Sequence, residues 1–205
     1  MIEPELKKRL NIAIIVSDYA DELEVITLCS IFRLAKFSVK LLHNGPTERV
    51  SFTGLYGNKV QVDFHLLKLL NEGFDLVCVP GGEFFSEYTA SNIASQEFLK
   101  QHIYEKKLLA LSGSSAYFIK SNMDYFNSAI STCSPCFWDK ISTNNLRKKR
   151  VTYDKIHNLI TSQGPGTVME LALEIIKLKI NKIEASKIAD NLIVWPNMHY
   201  GIMPK

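Results

Sequence analysis

Short apolar runs rich in β-branched residues alternate along this chain with segments of helical period, and that alternation leaves few folds open. Residues 11–16 (NIAIIV) are almost wholly apolar, which is how a strand buried on both faces reads. From Ala20 to Lys36 the residues Leu23, Ile26, Leu28, Ile31, Phe32 and Ala35 recur at helical spacing, with Ser17 and Asp18 as candidate caps. Residues 37–42 (FSVKLL) return to a strand pattern. A β-α-β unit of this kind runs its strands parallel with a right-handed crossover.

The pattern continues. A hairpin or pair of short edge strands is predicted over 51–64, a short helix over 65–73 and a second buried strand over 74–82 (FDLVCVPGG). An amphipathic helix follows over 91–107, then a third buried strand at 108–113 (LLALSG) and a helix opening at SSAYFIK. Residues 129–133 read as a fourth strand, 144–150 as a polar loop or edge strand, and 156–161 as another strand. After the turn SQGPGT, helices are predicted over 168–180 and 181–190, with a terminal apolar segment at 191–196. Strands alternating with helices imply an α/β three-layer sandwich with a mostly parallel, flavodoxin-like sheet.

A length of 205 residues suits a single domain, residues 1–205, with its core over about 11–195. The 24 basic and 21 acidic residues leave a net charge of +3, too mild to imply a nucleic-acid or membrane partner. The first ten residues lack the apolar stretch of a secretory signal, and no run approaches the ~20 apolar residues of a membrane span. The expectation is a soluble, cytoplasmic protein with reduced cysteines. Cys133 and Cys136 form one C-x-x-C, which lacks the two further ligands of a structural zinc site and reads as two loop cysteines, with a redox pair as the alternative. Arg147 to Arg150 read as a solvated basic loop, and the five histidines show no ligand spacing. No metal or cofactor is expected, since neither a G-x-G-x-x-G nor a phosphate-binding P-loop is present.

Sites in open parallel sheets form beyond the carboxyl ends of the strands. Four segments arrive there: Ala20 to Glu24, Pro80-Gly81-Gly82, Leu111 to Ser115, and Thr132 to Cys136. The third has the small residues of a sharp strand-to-helix turn, which projects one side chain while the next N–H groups point at the same spot. The double glycine allows a second backbone N–H to approach closely and complete an oxyanion hole.

Together ADELE (20–24), FDLVCVPGG (74–82), LALSGSSA (109–116) and ITSQGPGTVMELALEII (160–176) resemble the ThiJ/PfpI superfamily, which has the class I glutamine-amidotransferase-like fold. The likeness is to its small dimeric branch, the one that includes the parkinsonism-associated protein deglycase. It implies a homodimer, with the helix from Glu22 and the segment near Pro165 at the interface. It also implies a small carbonyl compound or small anion as ligand, and activities of the glyoxalase, deglycase or stress-response kind. Some relatives are called proteases or thiamine-pathway (thiazole monophosphate biosynthesis) proteins. By position, Glu24 matches the family's acidic residue, Gly82 an oxyanion donor supported by Gly81 and Gly113, and Ser112 the reactive cysteine. Cys133 falls near the position of a family histidine.

Ser112 and Cys133 are departures from the family pattern. A thiol ionises near neutral pH with modest help, whereas a serine hydroxyl needs a neighbouring base. Glu24 is the candidate base. The substitutions favour a divergent, weakly active or non-catalytic relative. The alternative is an active hydrolase or glyoxalase-type enzyme using Ser112 or Cys133.

Overall fold

The computed structural model describes residues 9–194. The first strand, β1 (Asn11–Val16), sits at the centre of the sheet with its side chains from Ile12 to Val16 sealed from solvent. Helix α1 (Glu22–Leu34) follows, then β2 (Ser38–His43), parallel to β1. Val25, Leu28, Cys29, Ile31 and Phe32 form the buried stripe of α1, whereas Leu23 and Ile26 face outward. The helix is capped by Asp21 rather than by Ser17 or Asp18. Its side chain reaches the first-turn N–H groups, which a residue three positions earlier cannot do.

Strands β3 (Ser51–Thr53) and β4 (Lys59–Gln61) form the expected hairpin as a separate antiparallel pair. Two further residues, β5 (Phe64–His65), instead join the main sheet beside β2. The helix expected over 65–73 is one 3₁₀ turn, Leu66–Leu69. Strand β6 (Leu76–Val79) pairs with β1 on its other side. A helix not read from the sequence, α2 (Glu83–Ser91), precedes the one predicted over 91–107, which is α3 (Ile93–Tyr104). Asn92 divides them, its extended backbone breaking the helix while its side chain caps the Ser95 N–H.

Strand β7 (Leu108–Leu111) leads into α4 (Ser115–Ser121) and the single turn α5 (Met123–Phe126). Residues 129–133 form no strand. Apart from the single bridge, Ser131 to Leu146, the Ile130 and Thr132 N–H groups donate to the side chains of Asp154 and Thr161. The edge strand β8 (Val151–Asp154) runs antiparallel to β9 (Leu159–Ser162), and the residues between them are a turn rather than the strand start read at Ile156. Helices α6 (Val168–Lys179) and α7 (Lys182–Asn191) close the described chain. The terminal apolar segment predicted at 191–196 runs past it, since residues from 195 onward lie outside the described residues.

The seven strands take the order β5-β2-β1-β6-β7-β9-β8, all parallel except β8. Helices α1, α6 and α7 pack together, and α2 packs on α3 and α4. Right-handed crossovers put these groups on opposite faces, because the chain steps one way from β1 to β2 and the other way from β6 to β7. Two neighbouring strands whose connections leave in opposite directions, here β1 and β6, open a crevice at their carboxyl ends. Among the described residues no helix is long and apolar enough to cross a membrane.

Candidate functional site at the strand-to-helix elbow

The N-cap and first turn of α1 supply three carboxylates with different duties. Asp21 Oδ1 accepts the N–H groups of Leu23 (3.0 Å) and Glu24 (3.2 Å), a cap contributing about 1 kcal/mol. With the first turn set, Glu22 and Glu24 diverge by about 200° around the helix. Glu22 Oε1 accepts from the Tyr56 N–H (3.0 Å) and Asn58 Nδ2 (2.9 Å), tying the hairpin to α1. Burial would raise its pKa, but these donors outweigh burial and hold the carboxyl below its usual range.

Glu24 points the other way, into the protein, and is fully buried. Its Oε2 accepts the Gly81 N–H at 2.7 Å, while Oε1 has no hydrogen-bond partner. Burial pushes its pKa up to about 7, against the pull of the Gly81 N–H and the nearby Ser112 hydroxyl, and the charge of Asp21 adds to the rise.

Three glycines wall this carboxyl. A Cβ on Gly81 would stand 2.8 Å from Glu24 Oε1, one on Gly113 3.3 Å, and one on Gly164 3.8 Å. Gly164 comes from the GPGT turn, which Thr167 locks by donating its hydroxyl to the Gly164 carbonyl (2.8 Å). The most distinctive motif of the chain therefore forms one side of the pocket around Glu24.

Ser112 follows β7, and its N–H donates to the Val79 carbonyl. Its side chain is 2 % exposed, and its Oγ lies 2.7 Å from Ser162 Oγ. The left-handed residue of the turn is Gly113, with φ +37°. A Cβ on Gly113 would therefore face the Glu24 carboxyl, while the Ser112 hydroxyl makes its short hydrogen bond to Ser162. Gly82 serves another role again. It has φ +112° and packs so closely on the Tyr19 backbone that a Cβ would come within 2.2 Å of that carbonyl oxygen. The Gly81 N–H, being taken by Glu24, is not free for a substrate oxygen.

The segment carrying Cys133 is stitched to the elbow. The Ser134 N–H donates to the Gly113 carbonyl (2.8 Å) and Ser115 Oγ donates to the Thr132 carbonyl (2.8 Å). Cys133 is sealed from solvent, and burial, helped by Cys136 and Asp139, pushes its thiol pKa up to about 12. Cys136 is exposed, and both cysteines are free.

The structure thus gathers Glu24, Gly81, Gly113 and Ser112 and adds two residues with no role read from sequence, Ser162 and Gly164. Register carries a signal for Ser162: Leu111 pairs with Thr161, so Ser112 and Ser162 are the next pair along β7 and β9. His157 lies elsewhere, in the turn before β9. There its Nδ1 is 3.0 Å from the buried Asp154 carboxylate.

The chain is similar to known proteins over most of its length. The model of the DJ-1/PfpI family matches residues 10–178. Protein DJ-1 homolog A of Arabidopsis thaliana is 30 % identical over 168 residues, which is 82 % of this chain but 42 % of that protein. The chain thus spans less than half of that relative's length. Protein dj-1beta of Drosophila melanogaster is 26 % identical over 90 % of this chain and 97 % of its own. The crystal structure of oxidized Toxoplasma gondii DJ-1 superposes with a TM-score of 0.83 at 25 % identity, covering 90 % of this chain and 98 % of that one. An elbow after β7, a buried glutamate beneath it and a family match across most of the sheet lead to one conclusion: the chain belongs to the DJ-1/PfpI family.

Proposed function

We propose that this chain is a divergent member of its family in which the elbow is a structural element with little or no turnover. The observation that carries this reading is the orientation of Ser112. Its hydroxyl is buried against another hydroxyl, and the position facing Glu24 is a glycine with no nucleophile to offer. The hydrogen-bond partner of Ser112 is another serine, and the nearby Glu24 carboxyl is a weak base towards an alcohol. Cys133 is a poor substitute, because a thiol with a pKa of about 12 is un-ionised at neutral pH.

The ligand class implied by the family is a small carbonyl compound, so methylglyoxal consumption is the direct test. Wild type and Ser112→Ala are expected to be equally inert. Gly113→Cys is expected to gain turnover, because its thiol would stand beside the Glu24 carboxyl, whereas Ser112→Cys is not. Turnover by the wild type that Ser112→Ala abolishes would establish the alternative reading, a serine-dependent enzyme with Glu24 as base.

A homodimer belongs to the same proposal. It is supported by three outward-facing apolar side chains, Leu23 (55 % exposed) and Ile26 (47 %) on α1, and Met169 (45 %) beside the GPGT turn. Sedimentation should give twice the chain mass, and the double change Leu23→Glu, Ile26→Glu should return a folded monomer. A wild-type monomer at micromolar concentration would remove this part.

A further inference from the structure

The crevice between β1 and β6 widens, away from the elbow, into a cleft of about 340 Å³. Three connections build it: the loop after β1, the loop after β2 and the first turns of α2. That volume is at the lower end of small-molecule sites, and its place at the switch point is where open α/β sheets bind ligands.

Its rim is aromatic. Tyr19 and Phe84 are 57 % and 67 % exposed, and their rings meet edge to face at 5.9 Å. Tyr19 is held at φ +67°, an uncommon and strained conformation for a bulky side chain. The Tyr19 N–H donates to the Thr53 carbonyl, fixing the loop in this strained form. Tyr88, anchored by its hydroxyl on the Asn44 carbonyl, and Pro46 extend the apolar wall.

His43 lines the cleft and is 1 % exposed. Its Nδ1 accepts the Gly45 N–H (3.2 Å), so the proton of the neutral ring is on Nε2. That Nε2 has no hydrogen-bond partner in the protein. The neighbouring His65 cannot serve, since its Nε2 donates to the Gly45 carbonyl (2.9 Å) and its Nδ1 accepts the Leu67 N–H. Burial and His65 both lower the pKa of His43, which keeps the ring neutral. The charged groups nearby, Asp18 and Arg49, neutralise each other through a 2.7 Å ion pair. A buried donor without an acceptor is destabilising, and a ligand that supplies the acceptor relieves that cost.

We infer that this cleft is a binding site for a neutral, planar ring compound bearing a carbonyl, its ring against Tyr19 and Phe84 and its oxygen accepting from His43 Nε2–H. The site is separate from the elbow and holds whether or not Ser112 is catalytic.

The test uses coumarin, a planar lactone, titrated into the whole protein and followed by amide and histidine NMR shifts. Coumarin is expected to shift Tyr19, Gly45, Phe84 and the His43 ring. Phe84→Ala, at an exposed position that leaves the core intact, is expected to weaken binding about tenfold. Naphthalene, with the rings but no carbonyl, is expected to bind at least about fivefold more weakly and leave the His43 ring unshifted. Ser112→Ala should bind coumarin as the wild type does. The inference is overturned if coumarin shifts none of these residues, if naphthalene binds as well, or if Ser112→Ala loses binding while Phe84→Ala keeps it. That last outcome would move the ligand to the elbow.

Discussion

Glu24→Gln is expected to make the protein more stable than the wild type at pH 8, by about 3 kcal/mol, and by less than about 1 kcal/mol at pH 5. The sign follows from the buried carboxyl. Its pKa is raised from an ordinary 4.5 to about 7, so between these values the native state keeps a proton that the unfolded chain has released. Where the native state binds more protons, stability falls as pH rises, by about 1.4 kcal/mol per unit. The loss is complete above about pH 7, when Glu24 is ionised inside the protein. Glutamine keeps the shape and still accepts the Gly81 N–H, but it never acquires the charge. The other ionisable groups are common to both proteins, so the difference between them reports Glu24 and its coupling to Asp21. Denaturant unfolding of both proteins at pH 5 and pH 8 measures this. Parallel pH slopes would mean that Glu24 is not the buried acid described above.

Gly82→Ala is expected to cost roughly 4 kcal/mol or more, a large share of the ~5–15 kcal/mol that holds a domain folded. Two penalties combine there. The backbone at φ +112° and ψ +112° suits glycine alone. The new methyl group would also meet the Tyr19 carbonyl oxygen at 2.2 Å, and the Ala20 and Asp21 backbones at 3.2 Å, none of which can swing aside as a side chain could. Gly57→Ala separates the two penalties. Its φ is +89°, but nothing stands within 4 Å of the added Cβ, so only backbone strain of about 1–2 kcal/mol is expected. Gly166→Ala, with open space and no left-handed backbone, should be close to neutral. Thermal or denaturant unfolding of the three variants orders them directly. If Gly82→Ala costs no more than Gly57→Ala, the close packing of the two loops is wrong. In this account the double glycine is needed first for packing: Gly82 lets the loops after β1 and β6 touch, and Gly81 brings its N–H to Glu24.

Local chemistry was sufficient for much of the chain. Asn11–Val16 is a strand at the residues where the apolar run begins and ends, because a central parallel strand must be apolar on both faces. The GPGT turn and α6 were legible for the same kind of reason, since a glycine-proline turn followed by a long apolar stripe has few other solutions. Where sequence reading went astray, a distant partner decided the outcome. Residues 129–133 have strand-like composition, but their polar groups find Asp154, Thr161 and Asn145 instead of a strand neighbour. Leu23 and Ile26 have the period of a core stripe, yet the sheet lies against the adjacent face of α1.

The elbow divides in the same way. Its place after β7, and the small residues it requires, were determined by the sequence alone. Which atom faces Glu24 was not, because one peptide's rotation decides whether residue 112 or 113 carries the left-handed turn, and that rotation is set by Ser162, Gly164 and the Gly81 backbone. Those groups lie tens of residues away in the chain. They meet at this point only because β6, β7 and β9 stand side by side in the sheet.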